Sequence, residues 1–265
     1  MPAVERDLVL DVGNSRTKLG LFEHGRLVTQ AVVPLGDLHA VKAFIGERPL
    51  LGIALGSTAA ADDGFVRALG DLAPVLVVTG TTPAPIHSAY ASPLSLGADR
   101  LANAVAAVQR FPGRPVLVFD LGTCITYDLC LADGSYVGGG ISPGLRMRAR
   151  AMNAYSARLP LIDPGDAPVL LGADTGSSLA AGIHFGILGE LEGLIRRVGQ
   201  QVADLGVVLT GGDALRFVRG LESGIFALPH LTLEGYHALL AHHRTPGGRS
   251  GPDASGGRHG PGAAG

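Results

Sequence analysis

The sequence predicts an α/β protein assembled from two copies of one folding unit, on three observations. First, Val9-Leu10-Asp11-Val12-Gly13-Asn14-Ser15 returns as Val118-Phe119-Asp120-Leu121-Gly122-Thr123-Cys124, with Asp11 and Asp120 109 residues apart. The match continues without a gap, setting Thr17 on Thr126, Gly25 on Gly134 and Val28 on Val137. Second, strand-like and helix-spaced segments follow the order β-β-β-α-β-α up to Leu72, which makes a recognisable half. Third, 265 residues that are 46% apolar and 17% charged, with 40 glycines, describe a compact α/β chain long enough for two modest cores. A period of this length is far beyond that of a solenoid or propeller, so duplication is the better reading.

Each element has a local reason. Leu8 to Asp11 is a short buried strand, and Thr17 to Phe22 alternates toward a turn at Glu23-His24-Gly25. Arg26 to Val33 completes an antiparallel meander, which Pro34 and Gly36 break. Asp37 to Ile45 carries helical spacing. Leu50 to Leu55 is an apolar strand running into Gly56-Ser57, Phe65 to Leu72 is helical, and Pro74 to Val78 is another strand. From Thr79 to Pro93 the chain turns polar and proline-rich, which predicts a loop carrying ligand contacts. Asp99 to Gln109 is an alanine-rich helix stopped by Pro112-Gly113. The second half opens with a strand from Pro115 to Asp120, and Asp133-Gly134 closes its hairpin. Gly138 to Gly144 reads as a flexible turn leading into a helix through Met152, and Thr175 to Val198 is the longest helical pattern. Val207 to Thr210 is a strand entering Gly211-Gly212, after which Asp213 is expected to cap a helix to Arg219. Residues 245–265 are Gly, Pro, Ser and Ala without an apolar period and are expected to form a disordered tail. The expected domains are therefore 1–113 and 114–244.

Several function classes are excluded as expectations. A formal charge of −2, no basic stripe and few aromatics argue against a nucleic-acid partner. No apolar run approaches membrane-spanning length, and Met1 to Asp7 lacks the apolar core of a signal peptide. Cys124 and Cys130 lie in one hairpin arm, where an extended segment of that length spans roughly 20 Å, beyond disulfide reach. Both are expected to be reduced, as in the cytoplasm, and two such cysteines make no zinc site.

The two bends carry the chemistry. Each places a carboxylate beside a glycine and small polar residues, and two such hairpins facing across a cleft suit a metal-bound polyphosphate. Gly13 permits close approach of backbone N–H groups to phosphate oxygens, and Lys18 adds a point charge. A tight turn with Asp11 as its hydrogen-bonding residue is the plainer alternative, and recurrence in a second colinear copy counts against it. Asp120 with Thr123 and Thr126 is a natural oxygen set for Mg²⁺, K⁺ or their waters. Gly97-Ala98-Asp99-Arg100 opens the alanine-rich helix. Asp99 there either compensates the helix dipole or acts as a general base, with Arg100 beside it for an anionic substrate group. Tyr90 and Pro93 shape the pocket wall in the second case. Thr175 is either an N-cap or a substrate contact. Gly211-Gly212 either approaches a nucleotide or allows a sharp strand–helix turn.

These residues together resemble the type III pantothenate kinase family. The resemblance rests on Asp11-Val12-Gly13-Asn14-Ser15, Tyr90-x-x-Pro93-x-x-Leu96-Gly97-Ala98-Asp99-Arg100, Asp120-x-Gly122-Thr123-x-x-Thr126 and Gly139-Gly140-x-x-x-Pro143-Gly144. Ala157-Arg158-Leu159-Pro160 and Thr175-x-x-Ser178-Leu179-x-x-Gly182 follow in the family's order, so the likeness covers roughly residues 8–240. It implies two ribonuclease-H-like domains of the actin-like ATPase kind, mixed sheets flanked by helices, with ATP between them. It implies ATP-dependent phosphorylation of pantothenate on its 4′-hydroxyl. By that similarity Asp11, Val12, Gly13, Asn14, Ser15, Arg16, Thr17 and Lys18 form the phosphate loop and Thr123 also contacts ATP. Asp99 is the proton acceptor, and Tyr90, Gly97, Ala98, Asp99, Arg100 and Thr175 bind pantothenate. Asp120 is the ligand of a monovalent cation, K⁺ or NH₄⁺, and Mg²⁺ accompanies ATP. The resemblance also implies a homodimer with the pantothenate pocket at the subunit interface. Ser15 stands where the family more often has Thr, and Cys124 where it usually has Ala. Rival readings are another kinase of the wider superfamily, acting on a sugar or acetate, and a non-enzymatic regulator.

Overall fold

A computed structural model describes residues 5–14, 16–57, 62–165, 168–221 and 225–245. Ser15 and residues 246–265 of the expected tail lie outside the described residues. The first sheet has the order β3-β2-β1-β4-β5, built from β1 (Arg6–Val12), β2 (Arg16–Glu23), β3 (Arg26–Pro34), β4 (Gly52–Ser57) and β5 (Val75–Val78). Its first three strands form an antiparallel meander, while β4 and β5 run parallel to β1. Helix α1 (Leu38–Ile45) follows β3, and α2 (Asp63–Gly70) joins β4 to β5. Asp37 and Asp62 cap these helices by accepting from the amides of Ala40 and Gly64.

The second half repeats this plan. Its strands are β7 (Val116–Leu121), β8 (Cys124–Cys130), β9 (Ser135–Pro143), β10 (Gly206–Thr210) and β11 (Ile225–Ala227), in the order β11-β10-β7-β8-β9. Again two antiparallel pairings are followed by two parallel ones. A two-residue strand from the proline-rich loop, β6 (His87–Ser88), adds itself parallel to β9 and ties that loop to the second sheet. Helices α4 (Leu145–Ala154), α5 (Thr175–Gly199) and α6 (Ala214–Phe217) cover the outer face.

Between the sheets lie α3 (Ala98–Arg110) and α7 (Leu231–Arg244). The layers therefore run α1/α2, first sheet, α3/α7, second sheet, α4/α5/α6. A helix apolar on every side belongs inside. Of the ten α3 positions from Ala98 to Ala107, all but Asp99 are buried. Its alanines let two sheets and a second helix approach it closely.

Four expectations need correction. The second copy does not match the first without a gap: Asp11 pairs across its hairpin with Lys18, whereas Asp120 pairs with Thr126. The first bend is one residue longer, so Thr126 stands where Lys18 does, and buried Ile125 stands at Thr17. Gly138 to Pro143 is not a flexible turn but the body of β9, because the pairing of Gly138 with Leu129 through Pro143 with Cys124 satisfies its backbone. Asp213 takes the N-cap position of α6 but its side chain makes no capping hydrogen bond, its carboxylate meeting the Arg216 guanidinium at 3.2 Å instead. Finally, α7 was not expected at all, yet it buries Leu231, Leu233, Tyr236, Leu239 and Leu240. His242 and His243 are half-buried in its last turn.

Both cysteines are free, as their spacing predicts. Among the described residues, α5 is one helix long and apolar enough to cross a membrane, with a mean hydropathy of 1.2 over its best window. Its stripe of Ile183, Ile187 and Leu191 packs into the second core. It also carries Glu190, Glu192, Arg196 and Arg197.

Candidate active site

Strand alternation aims both bend carboxylates at the central helical layer. On β1, Leu8 and Leu10 face the α1/α2 core, while Val9 joins the cluster around α3 and α7, so Asp11 follows Val9 inward. On β7, Leu117 and Phe119 face the outer core, Val118 packs toward α3, and Asp120 follows it. Helix α3 begins between the two bends and carries Asp99 in its first turn.

The three carboxylates share one electrostatic field. Burial pushes Asp120 up to about 6, and the charges of Asp99 and Asp11 push the same way against Lys18. Burial also raises Asp11, with Asp99 adding to it, while Lys18 Nζ sits 3.8 Å from its Oδ2 and opposes the rise. Tyr236 of α7 lies beneath the cluster, and burial together with all three carboxylates holds its phenol well above the ordinary value. A Cβ on Gly56, at the end of β4, would overlap the Tyr236 ring, so glycine there makes room for it.

The bends differ from a free amide cradle in one respect. The Gly13 N–H donates to the Arg16 carbonyl at 3.0 Å and the Gly122 N–H to the Cys124 carbonyl at 3.0 Å. These two amides close the bends rather than stand open to a ligand. Val12 is half-buried, Asn14 and Arg16 are exposed, and Thr17 turns away from the cleft into the sheet. Thr123 is exposed at the rim of the second bend, where its carbonyl accepts from the Gly144 N–H at 3.1 Å. Gly211 adopts φ +91°, and a Cβ there would overlap Asp120 and the Leu121 backbone. It is thus the strand–helix turn, packed against the second bend, that requires this glycine.

Asp99 Oδ1 accepts the Arg100 N–H at 2.8 Å, so the dipole reading and the cleft position hold together in one residue. Arg100 is 4% exposed. Its Nε donates to both Asp128 oxygens at 3.1 Å and its Nη2 to Oδ1 at 2.6 Å, while Nη1 reaches the Tyr90 hydroxyl at 3.3 Å. Tyr136 donates to the same Asp128 at 2.6 Å. Burial works against the Arg100 charge, but Asp128 outweighs it and keeps the guanidinium ionised. Gly97 and Ala98 lead directly into this helix, so Tyr90, Gly97, Ala98, Asp99 and Arg100 form one continuous patch.

Thr175 is placed elsewhere. It is exposed at the first position of α5, and Asp174, not Thr175, is the N-cap, in a capping box with Ser177. Thr175 lines a cavity of about 530 Å³ with Met152, Leu159, Gly172, Ser178 and Leu179, and no residue of the Tyr90–Arg100 patch lines it. A larger cavity of about 760 Å³ lies by the C-terminal end of α3 and along α7, against Phe22, Arg110 and His237, and holds none of the expected site residues.

With this geometry in view, a family model described as type III pantothenate kinase matches residues 7–197. The chain belongs to the type III pantothenate kinase family. The type III pantothenate kinase of Christiangramia forsetii is 37% identical over 244 residues, covering 90% of this chain and 99% of that one. That of Bacteroides fragilis is 35% identical over 238 residues, covering 89% and 98%. Solved structures more distant in sequence share the fold. A Campylobacter jejuni protein assigned to the Baf family of transcriptional activators has a TM-score of 0.57 at 16% identity, covering 89% of this chain and 98% of that one. The activator of 2-hydroxyisocaproyl-CoA dehydratase from Clostridium difficile, with bound ADPNP, has a TM-score of 0.50 at 13% identity, covering 90% and 94%. The fold is thus the duplicated ribonuclease-H-like architecture of the actin-like ATPases.

Within this family member, motif reading named the residues at the bends and passed over those beneath them. Asn103, Thr210, Thr232 and Tyr236 surround Asp120 and Asp11 from α3, β10 and α7. Asn103 was legible in principle, as an amide set among alanines one turn after Asp99. Thr232 and Tyr236 sit on a helix that the periodicity reading passed over.

Proposed function

We propose that this chain transfers the terminal phosphoryl group of ATP to the 4′-hydroxyl of pantothenate, the committing step toward coenzyme A. The observation that carries the reading is the shared field of Asp11, Asp99 and Asp120 at the start of α3, between two matching bends. Phosphoryl transfer asks the protein mainly to align two reactants and neutralise charge. The first bend, Asp11 to Lys18 with Ser15, receives the polyphosphate, Lys18 supplies positive charge, and Thr123 contacts the nucleotide from the second bend. Asp99 accepts the proton as the hydroxyl oxygen bonds to phosphorus and the bridge to ADP breaks. Tyr90, Gly97, Ala98 and Arg100 hold pantothenate, Arg100 chiefly by bracing Tyr90.

Asp120 is the ligand of a monovalent cation, K⁺ or NH₄⁺. The donor set fits: Thr210 stands in register beside Asp120 on the parallel strand, and its buried hydroxyl has no hydrogen-bond partner. Two hard oxygens at that spot suit an alkali-type ion, whose positive charge would offset the carboxylate and the nucleotide. Mg²⁺ enters with ATP.

A homodimer completes the pantothenate pocket. Thr175 lines a cavity that no residue of the Tyr90–Arg100 patch lines, so a second copy would bring the two sets together. Exposed Leu161, Leu170, Leu171 and Tyr155, the last 92% exposed, supply apolar surface for that association. Free cysteines and an ATP-dependent reaction suit the cytoplasm.

The test is ADP release by the purified chain with pantothenate, with and without potassium or ammonium. Release that requires pantothenate and rises with the cation is the expected result. Release only with sugars or acetate favours another kinase of the superfamily, and ATP binding without release favours a regulatory role.

A further inference from the structure

Asn103 and Thr232 belong to none of the motifs above, yet they link the two central helices to the second bend. Asn103 lies four residues after Asp99 on α3, so the two side chains share one helix face a turn apart. Asn103 is 1% exposed and Thr232, in the first turn of α7, is 6% exposed. Asn103 Nδ2 donates to Asp120 Oδ2 at 3.1 Å, and its Oδ1 accepts from Thr232 Oγ1 at 2.9 Å. An amide has one accepting end and one donating end. The Thr232 hydroxyl occupies the accepting end, which turns the donating end onto the carboxylate. A reversed amide would set oxygen against oxygen at Asp120.

We propose that Asn103 and Thr232 are positioning residues, a two-step relay that fixes the Asp120 carboxylate for a monovalent cation and the nucleotide beside it. This rests on the reading of Asp120 given above. The relay leaves the other Asp120 oxygen to the side where Thr210 and Gly211 close in. It also makes one helix responsible for two distances. α3 carries Asp99 toward the attacking hydroxyl and, about 6 Å further along its axis, Asn103 toward the cation. Outer partners of ion ligands act in this way elsewhere, and their loss commonly weakens the ion by about 10- to 100-fold.

The experiment uses the full chain with Thr232→Val, which keeps the shape and removes the hydroxyl, and Thr232→Ser, which restores it. Two quantities are measured: the potassium concentration giving half-maximal ADP release, and ATP affinity by calorimetry with and without potassium. Thr232→Val is expected to raise the half-activating potassium concentration about 10-fold and to shrink the potassium-linked gain in ATP affinity. The pantothenate KM is expected to stay unchanged, and Thr232→Ser to return both quantities to within about two-fold of wild type. Asn103→Leu is expected to reproduce the Val effect more strongly if it folds. Wild-type behaviour of Thr232→Val in both measurements overturns the relay. So does equal impairment of Val and Ser together with a raised pantothenate KM, or a wild-type ATP affinity that ignores potassium. If wild type releases no ADP with pantothenate, the proposed reaction fails instead, and the calorimetric arm still decides the relay.

Discussion

The two bends share a template and have diverged in chemistry. The first is one residue longer, keeps a cation opposite its carboxylate, and opens Lys18 to solvent at 46% side-chain exposure. The second replaces that lysine with Thr126, buries its carboxylate further, and surrounds it with an asparagine and an unpartnered hydroxyl. One wall is therefore neutralised from within, and in the function proposed above the other takes a cation from outside. Duplication supplied symmetric positions, and single substitutions at paired sites assigned them different duties.

The largest expected effect falls on the residue between the bends. Asp99→Asn should lower kcat by about 10²–10⁴-fold with the fold intact, the usual scale for a lost general base. A folded variant with wild-type turnover would remove the base assignment. The comparison itself is tested most sharply by stability. Asp120 titrates near 6 in the fold and near 3.8 when unfolded, so its burial as an anion costs stability. The sign follows: the penalty is absent below the unfolded value, grows as pH rises between the two, and is complete above about 6. Asp120→Asn should therefore stabilise the ligand-free protein by about 1–3 kcal/mol at pH 8, since the open side of the cleft screens part of a two-unit shift. Denaturant titrations at pH 8 and pH 4 should differ by that gain, while potassium activation disappears. Equal stability of variant and wild type at pH 8 would refute the strained-anion account.

Lys18→Met makes the first bend resemble the second. It should raise the ATP KM about 3- to 10-fold, the scale of one charge-assisted contact, and leave the pantothenate KM unchanged. An unchanged ATP KM would mean that Lys18 serves Asp11 alone. The smallest effect concerns Cys124, half-buried at the start of β8 beside the second bend. Cys124→Ala should keep activity within about two-fold and remove peroxide sensitivity. A variant as sensitive as wild type would clear this thiol.

Much of this was legible from residues alone. Asp-x-Gly at both strand ends, the glycine turns at Gly25 and Gly134, and Asp37 before α1 each carry a local signal, and each is where it was expected. What escaped depended on distance in sequence. A glycine run such as Gly138-Gly139-Gly140 looks like a turn until β8 supplies its hydrogen bonds. Single-register slips are invisible when both strands alternate with the same period, which is why Thr17 and Thr126 looked equivalent. The apolar surround of α7 has no amphipathic stripe to detect, because both its faces are covered.

That last helix has a consequence for how the molecule is made. The inner face of the first sheet is roofed by Leu233, Tyr236, Leu239 and Leu240, which lie from 155 residues (Val78 to Leu233) to 231 residues (Val9 to Leu240) downstream of the strand positions they cover. A ribosome emits β1 to β5 long before their lid, so the first half must wait, incompletely sealed, until α7 has emerged. Shortening the chain before Leu231 would thus unroof the half that was translated first, not merely trim the end.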